Sequence, residues 1–243
     1  MKRTHQGIRD EFYRVCEGAG FDLVHAATIG PYNNAVEEAF RLPQLASPND
    51  LVMVIANSAA LWQPFLSALS ADKALREHSD PLNTYTERVV GKAAADIAAR
   101  LELPMEIRWA HTLGPGMIAI QRLVDLSGLA TLSPSHLNIH PQHGPWIGLR
   151  AAVVFGIEGP AAPSPSASGP CAACERPCRP AMEDALAKAK TLTCDEIADQ
   201  WQLWLKVRDT CPVGKSSRYS EEQIRYHYIK SLDLLHSLLP KRD

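Results

Sequence analysis

Apolar residues recur three and four positions apart over residues 4–17, where Ile8, Phe12, Val15 and Cys16 share one face, and the run stops at Gly18-Ala19-Gly20. That spacing predicts an amphipathic helix with a glycine stop. Residues 21–29 (FDLVHAATI) and 51–56 (LVMVIA) are short and nearly continuous in apolar residues, which predicts buried strands. Between them, Tyr32-Asn33-Asn34 opens a short segment that closes at Phe40-Arg41-Leu42-Pro43. Helical spacing returns near residues 62–69, with Pro64 in the first turn, where proline is tolerated. Asp80-Pro81 starts a long helix over 82–101, with an alanine-rich face (Ala93, Ala94, Ala95, Ile97, Ala98). Residues 106–111 (EIRWAH) predict another strand. After the turn Gly114-Pro115-Gly116, residues 117–126 predict a helix ending before Gly128.

The pattern changes most sharply at residues 138–155. A polar turn, His140-Pro141-Gln142-His143-Gly144-Pro145, leads into an almost unbroken apolar run over 146–155. Its length and its Val, Ile and Phe content predict a strand buried on both faces. The one charge inside it is Arg150. A buried guanidinium needs an anion, which a bound ligand supplies as readily as a structural Asp or Glu. Gly144 and Gly148 let backbone or ligand come close.

Beyond this strand, residues 159–170 (GPAAPSPSASGP) are too poor in large apolar side chains to fold, and read as a linker or mobile loop. Helices are predicted over 181–190, 194–207 and 220–239, the last opened by Ser220 with Gln223 three residues on, a capping-box pattern. The organisation expected is a core over 1–158, the linker over 159–170, and a helical, cysteine-bearing segment over 171–243 packing on the core. Strands alternating with helices before a helical tail predict an α+β or α/β three-layer core; the spacing does not separate the two. Trp201 and Trp204 make an ordinary packing face, Arg225 to Tyr228 a helix with one wet and one dry side, and Asp195-Glu196 first-turn acids.

Composition narrows the function classes. Of 243 residues, 46% are hydrophobic and 21% charged, with net charge −2, and no Lys/Arg run forms a nucleic-acid stripe. The first residues lack the apolar core of a signal peptide, and no run of about 18 apolar residues exists to span a bilayer. A cytoplasmic location is expected, with no membrane partner. There, the six cysteines are thiols or metal ligands rather than disulfides.

Ile139-His140-Pro141, Gly144, Trp146 and Leu149-Arg150 form the pattern I-H-P-x-x-G-x-W-x-x-(L/I)-R. It resembles the cobalamin-processing family of cyanocobalamin reductases and alkylcobalamin dealkylases, and more loosely the cobalamin domain of epoxyqueuosine reductases. Tyr32-Asn33 with Ala39-Phe40-Arg41-Leu42-Pro43, then Asp80-Pro81, residues 121–128, Arg208-Asp209 and Arg218-Tyr219-Ser220-Glu221-Glu222-Gln223 continue the resemblance in order over about four-fifths of the chain. The resemblance implies a nitroreductase-like α+β sandwich that binds cobalamin with its nucleotide tail displaced, then removes the upper ligand by reduction or by transfer of an alkyl group to glutathione. It also implies that Ile118, Ala119, Ile120, Gln121, Leu132, Ser133, Asn138 and Leu149 line the corrin pocket. Arg150 and Arg208 match the family's glutathione-binding arginines, while its third arginine falls near Ser231, beside Lys230. Asn138 stands where human-type members have a cysteine, and Leu132-Ser133 replaces a tyrosine-rich stretch. In such a pocket cobalt and corrin carry the redox chemistry, and the protein supplies shape, orientation and dielectric. No catalytic side chain is assigned.

Cys171-x2-Cys174-x3-Cys178, with Cys211-Pro212 downstream, has one residue more than the ferredoxin half-motif between its second and third cysteines. Cys171, Cys174, Cys178 and Cys211, with Cys194 as alternative, are the candidate metal ligands. A 4Fe-4S cluster, zinc or unligated thiols all remain open. Epoxyqueuosine reductases carry iron–sulfur motifs directly after their cobalamin domain, so a cluster here would feed electrons to bound cobalamin. His140 and His143 read as part of a turn that caps the strand, or as cobalt ligands or proton donors, and His111 as a corrin contact. The expected function is that of a cobalamin-binding oxidoreductase, served by a glutathione-like thiol or an electron-donating reductase. Alternatives are an iron–sulfur reductase with cobalamin as permanent cofactor, a flavin enzyme of the shared fold, or a non-catalytic cobalamin carrier. Monomer and homodimer are both compatible.

Overall fold

The apolar runs become strands: β1 (Leu23–Thr28), β2 (Asp50–Asn57), β3 (Met105–Trp109), β4 (Thr131–Leu132), β5 (Asn138–Ile139) and β6 (Gly148–Glu158). The helices are α1 (His5–Cys16), α2 (Ile29–Ala35), α3 (Trp62–Ala71), α4 (Lys73–Arg76), α5 (Pro81–Leu101), α6 (Ile120–Ser127), α7 (Cys178–Ala189), α8 (Gln202–Asp209), α9 (Glu221–Ile229) and α10 (Leu232–Ser237). These elements come from a computed structural model, which describes residues 4–162, 169–190, 196 and 199–240. The chain divides into two compact units: Met1–Leu129 with Gly148–Ser166, and Ala130–Ile147 with Ala167–Asp243.

In the first unit β1, β2, β6 and β3 form one sheet in the order β1-β2-β6-β3, with every pairing antiparallel. An antiparallel sheet with helices packed on it is α+β; a parallel α/β sheet is excluded. Every residue of β2 is buried, and so is β6 from Ala151 to Phe155, as expected of central strands with both faces covered. Helix α1 buries Ile8, Phe12 and Cys16, the narrow i, i+4, i+8 row, and Thr4 Oγ1 caps it by accepting from Gly7 N at 3.1 Å. Val15, expected on that face, lies outside the row and is 51% exposed. Helix α5 has Pro81 in its first turn, and Asp80 accepts from Asn83 N at 3.1 Å. It packs against α1, α3 and β3.

Three expectations move. Residues 117–119 are irregular rather than helical: Met117 N closes a turn onto Gly114 O and Ala119 lies outside helical dihedrals, so α6 starts at Ile120. The strand expected from residue 146 starts at Gly148, because Trp146 belongs to the second unit's packing. The single C-terminal helix over 220–239 is two. Lys230 turns left-handed (φ 52°), and Ser231 Oγ accepts from Leu234 N at 3.2 Å, capping a new start. Ser220 does cap α9, accepting from Gln223 N at 3.3 Å. Half of the proposed linker (163–168) and residues 194, 195, 197 and 198 of the expected 194–207 helix lie outside the described residues. Among the described residues, no helix is long and apolar enough to cross a membrane.

His25 in β1 shares a hydrogen bond with Ser127 O at 2.8 Å, and burial pulls its pKa below the ordinary histidine value despite that bond. The unfolded chain therefore binds this proton more readily. Stability is retained above about pH 6.5 and falls as pH drops through that value toward the lower folded pKa. Urea midpoints between pH 7.5 and 5.5 should fall in the wild type and fall less steeply in His25→Gln.

Candidate functional site

In the first unit, Tyr32 and Asn33 lie buried on α2. Tyr32 OH donates to Phe40 O and accepts from Ala119 N, both at 2.9 Å. Asn33 clasps one peptide edge: its Nδ2 donates to Leu42 O at 2.9 Å, and Leu42 N donates to its Oδ1 at 2.8 Å. The Tyr-Asn and Phe-Arg-Leu-Pro motifs are thus one latch, and its far end fixes the loop that carries Ile118, Ala119, Ile120 and Gln121. Ile118 is buried, Ala119 and Ile120 are half-buried, and Gln121 is exposed.

Leu149 and Arg150 sit where the β2–β6 register breaks: Ile55 pairs with Ala151 but Ala56 pairs with Leu149, leaving Arg150 as the extra residue. A bulge of this kind re-aims a side chain. Arg150 Nε donates to Asn57 Oδ1 at 2.6 Å, and its own carbonyl accepts from Ala110 N at 2.9 Å. A Cβ at position 148 would stand 2.7 Å from Arg150 Nη2 and 2.8 Å from Asn57 Oδ1, so Gly148 clears the space for this pair. The guanidinium is half-buried and has a neutral amide among its partners. Nothing in the local sequence marks Asn57 for this role, because the pairing is made across the sheet.

The second unit brings Leu132, Ser133 and Asn138 together. Strands β4 and β5 pair Leu132 with Asn138, Ser133 N donates to Leu137 O at 2.9 Å, and Asn138 Nδ2 donates to Ala130 O at 3.3 Å. The following turn is closed by reciprocal backbone bonds between His140 and Gly144 at 2.9 and 2.8 Å. His140 Nδ1 accepts from Gln142 N and His143 N at 3.2 and 3.3 Å, and His143 Nδ1 shares a bond with Ser217 Oγ at 3.0 Å. His140 thus caps its own turn, while His143 ties the turn to Ser217. Gly144 and Gly214 press backbone on backbone. At Gly144 (φ 56°) a Cβ would lie 2.0 Å from Val213 O, and at Gly214 (φ 70°) 2.2 Å from the His143 carbonyl carbon.

Trp146, nearly fully buried, meets the ring of Tyr219 edge-on at 5.6 Å, with the guanidiniums of Arg208 and Arg218 at 5.3 and 5.4 Å from its centroid. Arg218 donates to Asp209 through Nε (2.7 Å) and Nη2 (3.2 Å), and also bonds Glu221; the Asp209 bond foremost lifts its pKa above the ordinary arginine value. Among the described residues, Arg208 Nε is buried and has no hydrogen-bond partner. Lys230 lies over Tyr226 at 5.3 Å, beside Ser231, which is spent as a helix cap. Trp201 stacks on Tyr228 at 5.2 Å, a packing role. In the first unit His111 stacks on Trp109 and pairs with Glu87 Oε1 at 2.8 Å.

Cys171, Cys174, Cys178 and Cys211 line one pocket of the second unit, together with Ser133 and Ile139 of the hairpin. All are free thiols. Burial foremost, then the neighbouring thiols, raises the pKa of Cys171; burial likewise dominates at Cys211. Among the described residues no group of three or more His, Cys, Asp and Glu stands ready to hold a metal ion.

The chain thus has an antiparallel α+β fold of the nitroreductase-like kind. A solved structure shares it: the crystal structure of a C. elegans B12-trafficking protein CblC, a human MMACHC homologue, superposes with a TM-score of 0.68 at 17% identity, covering 98% of this chain and 99% of that one. No protein-family model and no curated protein matches the sequence.

Tyr32→Phe deletes one buried hydroxyl and strands the Ala119 N–H and the Phe40 carbonyl, so a loss of about 1–3 kcal/mol is expected in urea unfolding. Gly144→Ala meets backbone as well as an unfavourable φ and should cost more than about 1 kcal/mol, read the same way.

Proposed function

We propose that this chain binds cobalamin and processes it, removing the upper ligand reductively. The observation that carries the reading is that the ordered sequence motifs and a fold shared over nearly the whole chain point to the same family, which includes a protein described as trafficking B12. Fold alone would not suffice, since one fold serves many functions. Three further features support it. The latch of Tyr32 and Asn33 sets the loop of Ile118, Ala119, Ile120 and Gln121; the β4–β5 hairpin gathers Leu132, Ser133 and Asn138; and the bulge in β6 presents Leu149 beside Arg150.

When bound, cobalamin supplies the redox and ligand-exchange chemistry. The side chains assigned to it are chiefly apolar, and their task is to orient the corrin and keep water from its face. Gln121 and Asn138 offer hydrogen bonds to the corrin periphery. Arg208, stacked on Trp146 and with a buried Nε that lacks a partner, is suited to a carboxylate of a glutathione-like thiol. Arg150 is the second thiol contact in this reading, its Nε already held by Asn57.

The test is an anaerobic ultraviolet–visible titration with cyano- and methylcobalamin, followed by addition of a reductant or glutathione. The tail-displaced spectrum should form at about one cobalamin per chain, and the upper ligand should then be lost. No spectral shift would remove the reading; a shift without ligand loss would leave a carrier. Gln121→Ala should weaken cobalamin binding by about tenfold, the equivalent of about 1.4 kcal/mol for one hydrogen bond. Arg208→Ala should raise the thiol concentration needed for half-maximal dealkylation by about tenfold or more while leaving the cobalamin spectrum intact.

A further inference from the structure

Four of the thiols meet although the chain brings them from two distant places. Cys171, Cys174 and Cys178 come from the segment entering α7, Cys211 from the turn after α8, and all line one pocket whose wall is completed by Ile139 and Val213. The residue that breaks the ferredoxin spacing is absorbed between Cys174 and Cys178, where Arg176 takes a left-handed conformation (φ 58°) and turns the backbone. The same turn points Arg176 N at Cys174 Sγ, 3.3 Å away. After Cys211 the backbone also turns left-handed, at Gly214 (φ 70°). Cys174 thus receives an N–H from the residue two positions on. Such a donor favours a charged sulfur over a neutral thiol. Apolar packing of four protonated thiols has no use for it.

The surroundings agree. The pocket walls are almost wholly apolar, and prolines 134, 170, 177 and 212 stiffen them. Four sulfurs sharing one pocket repel one another as thiolates unless a cation sits among them, and a coordinating metal deprotonates a thiol outright.

We propose that Cys171, Cys174, Cys178 and Cys211 form a four-thiolate site for a thiophilic metal centre, either a zinc ion or an iron–sulfur cluster. Among the described residues no three such side chains stand ready for a single ion, so loading draws the thiols inward around zinc or spaces them about a cluster. Cys16, buried in α1 of the first unit, is not a ligand. The site does not depend on cobalamin binding. Ser133, however, belongs both to this pocket and to the β4–β5 hairpin.

The full chain, isolated anaerobically and never exposed to cobalamin, is analysed for zinc, iron and acid-labile sulfide, before and after incubation with zinc or with iron and sulfide. About one zinc per chain without sulfide, or iron matched by sulfide, supports the site, and the sulfide value says which centre it holds. Retained metal should fall by about tenfold or more in each of Cys171→Ala, Cys174→Ala, Cys178→Ala and Cys211→Ala, and stay unchanged in Cys16→Ala. Wild-type protein that takes up neither metal, or a Cys171→Ala variant that keeps the full complement, overturns the proposal. Should the variants not fold, cobalt(II) added to the wild type gives the independent reading: thiolate-to-metal charge-transfer bands support the site, and their absence overturns it.

Discussion

A strand covered on both faces has no water to satisfy its peptide groups, and β2 is in that position along its entire length. Its backbone donors and acceptors are satisfied by β1 on one side and β6 on the other. The first unit is arranged around this requirement. The pairing also accounts for the irregularity at Arg150. A ladder in continuous register would point Arg150 along the strand's ordinary alternation. The shift between Ile55 and Ala56 instead makes Arg150 the extra residue, and Asn57 at the end of β2 receives its Nε.

The second unit is held together differently. Its described strands are two residues long, and much of its order comes from turns, aromatic contacts and charged groups. Gly144 and Gly214 bring two turns into backbone contact that no side chain would permit. Trp146 collects Tyr219, Arg208 and Arg218, and Arg218 in turn ties Asp209 to Glu221. Each cation–π contact is worth about 0.5–2 kcal/mol, so the knot is modest in each part and depends on several parts together. The four cysteines converge within this unit, where a bound metal would add cross-links that the short strands do not supply.

Several residues that carry the family resemblance turn out to shape the protein rather than present chemistry. Tyr32 and Asn33 hold backbone carbonyls and amides, Gly144 meets Val213, His140 caps its own turn, and Arg218 spends its donors on Asp209 and Glu221. A motif of this kind records a geometry that must be kept, and its residues need not touch what is bound. Arg208 differs from Arg218 in having no carboxylate among its described partners.

The strand and helix pattern was legible because burial imposes a local period: α1, β2, α5 and β6 lie close to where apolar spacing and caps put them. The cysteine group was legible as a composition, and the capping serines as local side chain-to-backbone bonds. What the sequence could not decide was anything made across the chain. The antiparallel order β1-β2-β6-β3, the bulge at Arg150, the grouping of Ala130–Ile147 with the C-terminal residues and the meeting of Cys211 with Cys171, Cys174 and Cys178 each join segments far apart in sequence. The break at Lys230 was hidden for a related reason. Apolar periodicity runs on through it, while Ser231 had two roles open, helix interior or cap, and the tertiary structure selects the cap.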